Sequence, residues 1–291
     1  MIKAAALICL LLVFGYAAPA VAQGLNFSGN SDAPVQLSAD DGIEWQSESS
    51  RVIARGHAKA IRGAVSVSAD SLTAYYRPGK GGDEIWRIDA DGDVVIASAT
   101  EKATGYKATY DMDKAVVVIL GKPARLSTPT DEVTATDALE YWDQKKMAVA
   151  RGNAIAVQRV REQTIRADVL VAYFDDTRKK SQELSRAEAF GKVMISSTQD
   201  KANGDKGTYD AKSGIATLAG NVHLLRADNA LDGGYLQINL NTGVSKMFPN
   251  IPGTAANDSK VRGSFVPEKK RAEATFAGTQ KTTQEGNANG R

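Results

Sequence analysis

The chain has 291 residues and a formal net charge of +2, and this near-neutral balance gives no electrostatic case for binding nucleic acid. The single cysteine, Cys9, lies in an N-terminal segment that is predicted to be removed. The remaining chain therefore has no disulfide, thiolate nucleophile or cysteine metal site. Its length allows one or two domains.

Residues 1–22 form a predicted export signal. Lys3 supplies the positive charge, residues 4–15 are apolar, and Ala20-Val21-Ala22 is a small-x-small cleavage site. The apolar run is shorter than the ~20 residues of a comfortable membrane span. We expect export with cleavage after Ala22, and an uncleaved membrane anchor is the alternative.

Short runs with β-type patterns follow from residue 34 to residue 249, separated by polar turns. No segment has a useful helical period, so the sequence predicts an all-β, antiparallel fold. The clearest runs are VQLSA (35–39), RVIARGHAKAI (51–61), AVSVSADSLTAYY (64–76), GDVVIAS (92–98), KAVVVIL (114–120), VTATDALEYW (133–142), MAVARGNAIAV (147–157), IRADVLVAYF (165–174), KVMIS (192–196), IATLAGNVHLL (215–225) and YLQINL (235–240).

An aromatic residue precedes a glycine at regular intervals along this region. The interval is 11 residues in four places and 17 or 18 residues in two others. The pairs are Trp45–Gly56, Tyr110–Gly121, Tyr141–Gly152 and Tyr209–Gly220, with the longer Tyr75–Gly92 and Tyr173–Gly191. We expect each glycine between strands, at a bend or bulge where a Cβ would clash.

The order of short and long intervals occurs twice, which indicates an internal duplication. Gly56 and Gly152 are 96 residues apart, and Gly92 and Gly191 are 99 apart. The predicted halves are residues 34–141 and 142–249. Repeats of this kind build one scaffold, because each unit buries its face against its neighbours.

The pair Ala-Asp recurs at residues 39–40, 69–70 and 167–168, and predicts an Asx-type corner. Catalysis by these aspartates is disfavoured, since they are spread along the repeat. Residues 250–291 are predicted to be a disordered tail, although VRGSFVP (261–267) keeps β character and is either an apolar island or a docking strand.

The sequence offers little catalytic chemistry. The two histidines, His57 and His223, are isolated and predicted on the outward face, so no metal set is expected. The glycine-rich run at 77–83 lacks the ending of a phosphate loop. We expect no cofactor and no enzymatic activity. The basic runs 159–162 and 178–180 are predicted solvated faces, and would be the candidates for touching phosphates on a ligand.

Alternation from each glycine places a set of small apolar residues on one face. The set includes Ala58, Ala60, Val94, Ile96, Ala154, Ala156, Val193, Ile195, Val222 and Leu224. Leu72, Ala74 and Tyr76 in the first half correspond to Leu170, Ala172 and Phe174 in the second. This face is either an ordinary sandwich core or a groove left partly open for an apolar ligand.

An ordered series of these motifs resembles the LptA/OstA family of periplasmic lipopolysaccharide-transport proteins. It runs through APVQLSAD (33–40), VIARGHAKAIRGAVSVSADSLTAYYRP (52–78), ATGYKATYDMDKAVVVILGKPARL (103–126), GNAIAV (152–157) and GNVHLL (220–225). The resemblance implies a β-jellyroll folded like a taco, in which lipopolysaccharide acyl chains lie inside. It implies the lining candidates Val35, Leu37, Ile96, Tyr110 and Met112.

The resemblance also implies a periplasmic bridge that passes lipopolysaccharide from an inner-membrane transporter to an outer-membrane translocon. Its implied partners are LptC-like and LptD-like β domains and further copies of the chain, joined by edge-strand addition. Two alternatives stay open: a membrane-anchored LptC-like component of the same system, and a polysaccharide-acting β-helix enzyme.

Overall fold

The computed structural model describes residues 35–80, 82–176, 182–198, 200–254 and 260–266. The predicted signal 1–22 lies outside these residues, so the anchored alternative is untested. The described residues form eighteen strands, and none of them forms a helix long and apolar enough to cross a membrane. The strands are β1 Gln36–Ser38, β2 Gly42–Gln46, β3 Arg51–Arg62, β4 Val65–Gly79, β5 Gly82–Ala97, β6 Lys102–Asp111, β7 Val116–Leu120, β8 Ala124–Ser127, β9 Asp131–Ala135, β10 Ala138–Trp142, β11 Met147–Gln158, β12 Gln163–Asp176, β13 Gln182–Ser196, β14 Asp200–Asp210, β15 Ile215–Arg226, β16 Asn229–Asn239, β17 Val244–Phe248 and β18 Arg262–Ser264.

The strands form one antiparallel sheet in which successive elements pair as hairpins. We call each long strand, or each pair of short strands in line, that spans the full width of the sheet a rung. Four rungs consist of two short strands in line: β1 with β2, β7 with β8, β9 with β10, and β17 with β18. The all-β antiparallel prediction is confirmed, and the β-helix alternative is wrong, because the described strands pair antiparallel and do not stack as parallel coils.

Glycine corners lie inside the long strands, not between them as the sequence predicted. At Gly92 in β5, φ is +79° and the next residue, Asp93, has φ +41°. The pairing with β4 and β6 shifts register at this point. Two successive left-handed residues form a bulge that bends the strand without ending it. The same geometry recurs at Gly56, Gly152, Gly191 and Gly220.

Gly121 departs from this pattern. It lies between β7 and β8, next to a cis Lys122–Pro123 peptide bond, so the rung is broken there and not bent.

An aspartate on the neighbouring rung fills the space at each corner. A Cβ on Gly92 would lie 2.0 Å from Asp70 Oδ2, and one on Gly191 would lie 2.3 Å from Asp168 Oδ2. Asp70 and Asp168 therefore lie within continuous strands against a glycine, so the predicted Asx corner is wrong at these two positions. Asp40 lies in a bend between β1 and β2. Asp205, within β14, fills the space at Gly220, and Asp137, in the break between β9 and β10, fills the space at Gly152. The sequence analysis missed both.

One face of the sheet is buried on both sides of the corners, so the sheet is folded with that face inside. The predicted alternation is confirmed: Ala58, Val94, Ala154 and Val193 are all buried. The buried residues form two clusters, one drawn from β3 to β11 and one from β12 to β16, and Leu170 packs against both. The predicted boundaries of the halves, 34–141 and 142–249, remain predictions.

The opposite face is exposed and charged. Lys107 pairs with Asp91 at 2.7 Å on this face, and Arg87 pairs at 2.9 Å with the buried carboxylate of Asp89. Pairs of this kind contribute little to stability but keep this face solvated. His57 and His223 lie on the exposed side, as predicted, each within hydrogen-bond distance of an aspartate.

The β character predicted for 261–267 is confirmed at Arg262–Ser264. This segment, β18, pairs with β16 and completes the last rung next to β17. The rung of β1 and β2 and the rung of β17 and β18 are the two edges of the sheet.

Candidate functional site: an apolar cavity inside the folded sheet

An apolar cavity of about 280 Å³ lies inside the folded sheet, where the two halves meet. Elements from β6 to β15 contribute to its wall. Characteristic lining residues are Ile119, Leu139, Leu170, Ala187, Gly207 and Tyr209. A cavity of this size with an apolar wall suits a long apolar ligand.

Small side chains at two equivalent inner positions, Ala187 and Gly207, explain why the cavity extends into the second half. Ala187 pairs with Tyr209, as Ile88 pairs with Tyr110 in the first half. The first half therefore carries a side chain with three more carbon atoms at this position.

The second position follows the same rule. Gly207 pairs with Ala189, where the first half has Ala108 opposite Ala90. A third pair differs in the same direction, since Ala216 stands opposite Tyr209 where Val117 stands opposite Tyr110, but Ala216 does not line the cavity.

A second cavity, of about 30 Å³, occupies the corresponding place in the first half. Ile96 and Tyr110 both line it, so the structure brings these two predicted site residues together. Leu37 and Met112 pack at the margin of the first-half core. Val35 lies before β1 and is 49% exposed. None of the five lines the larger cavity, and their role in lipid binding stays a prediction.

The sequence analysis placed Ala156, Leu170, Ala172, Val193 and Ile195 on the inner face, and all five line the larger cavity. It missed Ala148, Ala187, Ala189 and Gly207. The sequence signal of the missed residues is a small side chain at an inner position, as at Ala148, Ala187 and Ala189. Small residues also permit close packing, so the signal alone does not distinguish a cavity from a tight core.

Glu101 is a buried carboxyl in the wall of the larger cavity. Only 8% of the residue is exposed, and the carboxyl has no hydrogen-bond or ionic partner within the described part of the chain. Burial raises its pKa from 4.5 to about 7. A carboxyl group that accepts hydrogen bonds in either protonation state therefore lies in a mainly apolar wall.

The equivalent residue in the second half, Asp200, has a partner. It is 3% exposed, and Arg226 Nε donates to its carboxylate at 3.2 Å. Asp200 lies opposite Arg226 in the sheet. In the first half the pairing of Lys102 with Ser127, continued by one residue, places Thr128 opposite Glu101.

Both acids belong to a turn that recurs at one edge of the folded sheet. The Glu101 amide donates to Ser98 Oγ at 3.1 Å, and the Asp200 amide donates to Ser197 Oγ at 3.2 Å. Thr128 accepts from the Asp131 amide at 2.9 Å in the same way. The hydroxyl of Thr128 is thus engaged within its own turn.

Other polar groups near the cavity are held by the protein. Burial first, then the Asp210 charge, raises the pKa of Tyr209, while Arg161 lowers it. In the basic run 159–162, Arg159 pairs with Glu132 at 2.8 Å. The run 178–180 lies outside the described residues. No group of three or more histidine, aspartate or glutamate side chains suited to a metal ion occurs in the described ranges.

Aromatic residues mark the first edge of the sheet. Trp45 on β2 is 67% exposed, and its indole N–H donates to the Tyr76 hydroxyl at 2.9 Å. The inner-face neighbour Ile43 is also exposed. The folded sheet therefore presents apolar inner residues, together with unpaired backbone groups, at its open end.

Comparison with known proteins follows the duplication. The sequence matches a family described as LptA/(LptD N-terminal domain) LPS transport protein twice, over residues 37–139 and 132–244. An uncharacterized protein of Rhizobium meliloti (strain 1021) is 29% identical over 110 residues, which are 36% of this chain and 58% of that relative. This chain thus spans less than two thirds of the relative's length.

Among solved structures, the chain aligns with LptH of Pseudomonas aeruginosa, described as the LptA homologous periplasmic component of the conserved lipopolysaccharide transport device. The alignment has 10% identity and covers 81% of this chain and 96% of that chain. Its TM-score is 0.22, too low to support an argument.

Proposed function

The chain belongs to the LptA/LptD N-terminal-domain family of lipopolysaccharide-transport proteins, and we propose that it carries lipopolysaccharide with acyl chains inside the folded sheet. Membership of a transport family confirms the prediction that the chain is not an enzyme. The proposed site is the 280 Å³ cavity, extended by the smaller cavity around Ile96 and Tyr110.

The apolar wall of the larger cavity is the observation that carries this proposal. At ~30 Å³ for each water-sized group, the cavity takes on the order of nine such groups. Burying that many methylenes is worth about 7 kcal/mol at ~0.8 kcal/mol each. This holds one chain firmly, yet stays well below the ~20 kcal/mol ceiling of non-covalent binding. Lipid held at this strength is retained and still released.

We further propose that the chain works in the periplasm as a bridge between the inner-membrane transporter and the outer-membrane translocon. The two open edges of the sheet support this, because an edge strand of an LptC-like or LptD-like domain, or of a second copy, extends the hydrogen-bond ladder and continues the apolar face. Energy for movement then comes from a partner.

Site-specific photo-crosslinking with lipopolysaccharide tests the proposed site. A photoreactive residue replaces Ala187 in the larger cavity, Ile96 in the smaller one, or His57 on the outer face as the matched control. We expect labelling from Ala187 and Ile96 and none from His57. Equal labelling at His57, or a delipidated protein that never binds lipopolysaccharide, would overturn the proposal.

A further inference from the structure

Glu101 is the one acidic side chain of the larger cavity that the fold buries and leaves without a partner among the described residues. It is 8% exposed, and its carboxyl is desolvated by apolar neighbours. Ala103, Leu126 and Ile165 line the same cavity. Burying an unpaired carboxyl is costly, and such a group is typical of a site completed by a ligand.

In the second half, the protein itself supplies a partner for the acid at the equivalent position. Asp200 receives the Arg226 guanidinium at 3.2 Å. Thr128 occupies the place of Arg226 opposite Glu101, and its hydroxyl oxygen accepts hydrogen bonds from the Thr130 and Asp131 amides. The first half thus keeps the acid and lacks the cation.

A second acceptor on the same edge lacks a donor. Gln158 lies opposite Asp131, at the end of the neighbouring turn. Its Oε1 is buried and has no hydrogen-bond partner within the described ranges. Glu101 and Gln158 thus both place oxygen acceptors at this edge.

We propose that Glu101 is a hydrogen-bonding site for a hydroxyl group carried on the acyl chain of the bound lipid. This rests on the proposed lipid-carrying function and names a chemical feature that the site selects. The wall around Glu101 holds the chain, and the carboxyl fixes how far the chain enters.

A hydroxyl fits this environment better than an ammonium group. A carboxyl accepts a hydrogen bond from a hydroxyl whether it is neutral or ionised. An ammonium group pairs well only with the ionised form, and it brings a second charge into an apolar wall.

The test compares two uncharged lipids that differ by one hydroxyl, N-dodecanoyl-glucosamine and N-(3-hydroxydodecanoyl)-glucosamine. We expect the full-length protein to bind the hydroxylated lipid about tenfold more tightly, the usual effect of a hydrogen bond to a charged acceptor. Glu101→Leu should abolish this preference while retaining the binding of the plain lipid. Glu101→Gln, which keeps an acceptor oxygen, should retain part of it.

Asp200→Asn is the matched control, because it changes the same kind of residue where the protein already supplies the partner. The preference should be unchanged in this variant. The ¹³C shift of the Glu101 carboxyl gives a readout that needs no variant, and it should move with the hydroxylated lipid and stay still with the plain one.

Equal binding of the two lipids to the unaltered protein would overturn the inference and leave the proposed function intact. Dodecylamine whose binding depends on Glu101, without a hydroxyl preference, would also overturn it. Failure to bind either glucosamine lipid would count against the proposed function itself.

Discussion

In the first half of the sheet, Ile88 and Val117 flank Tyr110, and the cavity beside them is about 30 Å³. In the second half, Ala187 and Ala216 flank Tyr209, and the cavity that extends there is about 280 Å³. The backbone pairing is the same in both. A duplicated sheet therefore changes its capacity through a few inner side chains while its ladder stays constant.

The edge of the sheet shows the reverse contrast. The second half is complete at this edge, since Arg226 pairs with Asp200. The first half is incomplete, since Glu101 is buried alone among the described residues. The half with the more spacious interior has a paired buried acid at its edge, and the other half has a buried acid with no partner among the described residues.

The largest expected effect concerns what the halves share, the glycine corners. Gly92→Ala and Gly191→Ala should each lower the free energy of unfolding by about 3 kcal/mol, because a Cβ meets an aspartate and a left-handed residue loses its glycine. Denaturant titration measures this. A loss in only one half would show that the corners are not equivalent.

Gly207→Ala is the control for the corner variants. Its φ is not in the left-handed region, and its added Cβ would meet the nearest side-chain atom at 3.5 Å, an ordinary contact. This variant should keep or slightly raise stability, since alanine reduces the entropy of the unfolded chain. Adding Asp70→Gly to Gly92→Ala removes the steric clash with the aspartate and should recover that share of the lost stability. The share due to the left-handed backbone of residue 92 should remain lost.

The next effect concerns the contrast between Glu101 and Asp200. Glu101 has a pKa raised from 4.5 to about 7, so its ionisation opposes folding. The resulting loss of folding free energy is absent below pH 4.5, grows as the pH rises to about 7, and is constant above that pH. Glu101→Gln should therefore raise stability at pH 8 by about 2 kcal/mol, after allowance for screening at the cavity mouth, and have no effect at pH 4.5.

Asp200→Ala should act in the opposite direction at pH 8, because it strands the Arg226 guanidinium. Thermal unfolding curves at the two pH values separate these cases. A Glu101→Gln effect that is equal at both pH values would contradict the assignment of the cost to ionisation.

The smallest expected change in stability comes from exchanging inner residues between the halves. Ile88→Ala should cost about 1–2 kcal/mol, less than at a fully buried site because Ile88 is half-buried. Ala187→Ile should fill the larger cavity and weaken lipid binding about tenfold, as if two methylenes were displaced. Lipid titration by fluorescence checks this, and unchanged affinity would place the lipid elsewhere.

The fold followed from the sequence to a large extent, because alternation within each run identifies the inner face. The strands with Lys, Gly and Asp in quick succession, such as Lys102–Asp111 and Asp200–Asp210, were not among the clearest runs. Their outer face is charged and their inner face includes glycine, so hydrophobic periodicity is weak there.

The site was less predictable. Ala187 and Gly207 are separated along the chain and come together only through strand register. Glu101 looks like any turn residue in the sequence, and its burial depends on which residue stands opposite. Pairing across rungs is a tertiary property, which local patterns do not specify.

The join between the halves has a consequence for concentration. There β7 pairs with β10 and β8 with β9 within one chain. Separate copies joined at an interface dissociate on dilution according to mass action, whereas two halves linked in one chain stay together. The length of ladder available to a ligand inside one molecule is therefore the same in a dilute compartment as in a crowded one.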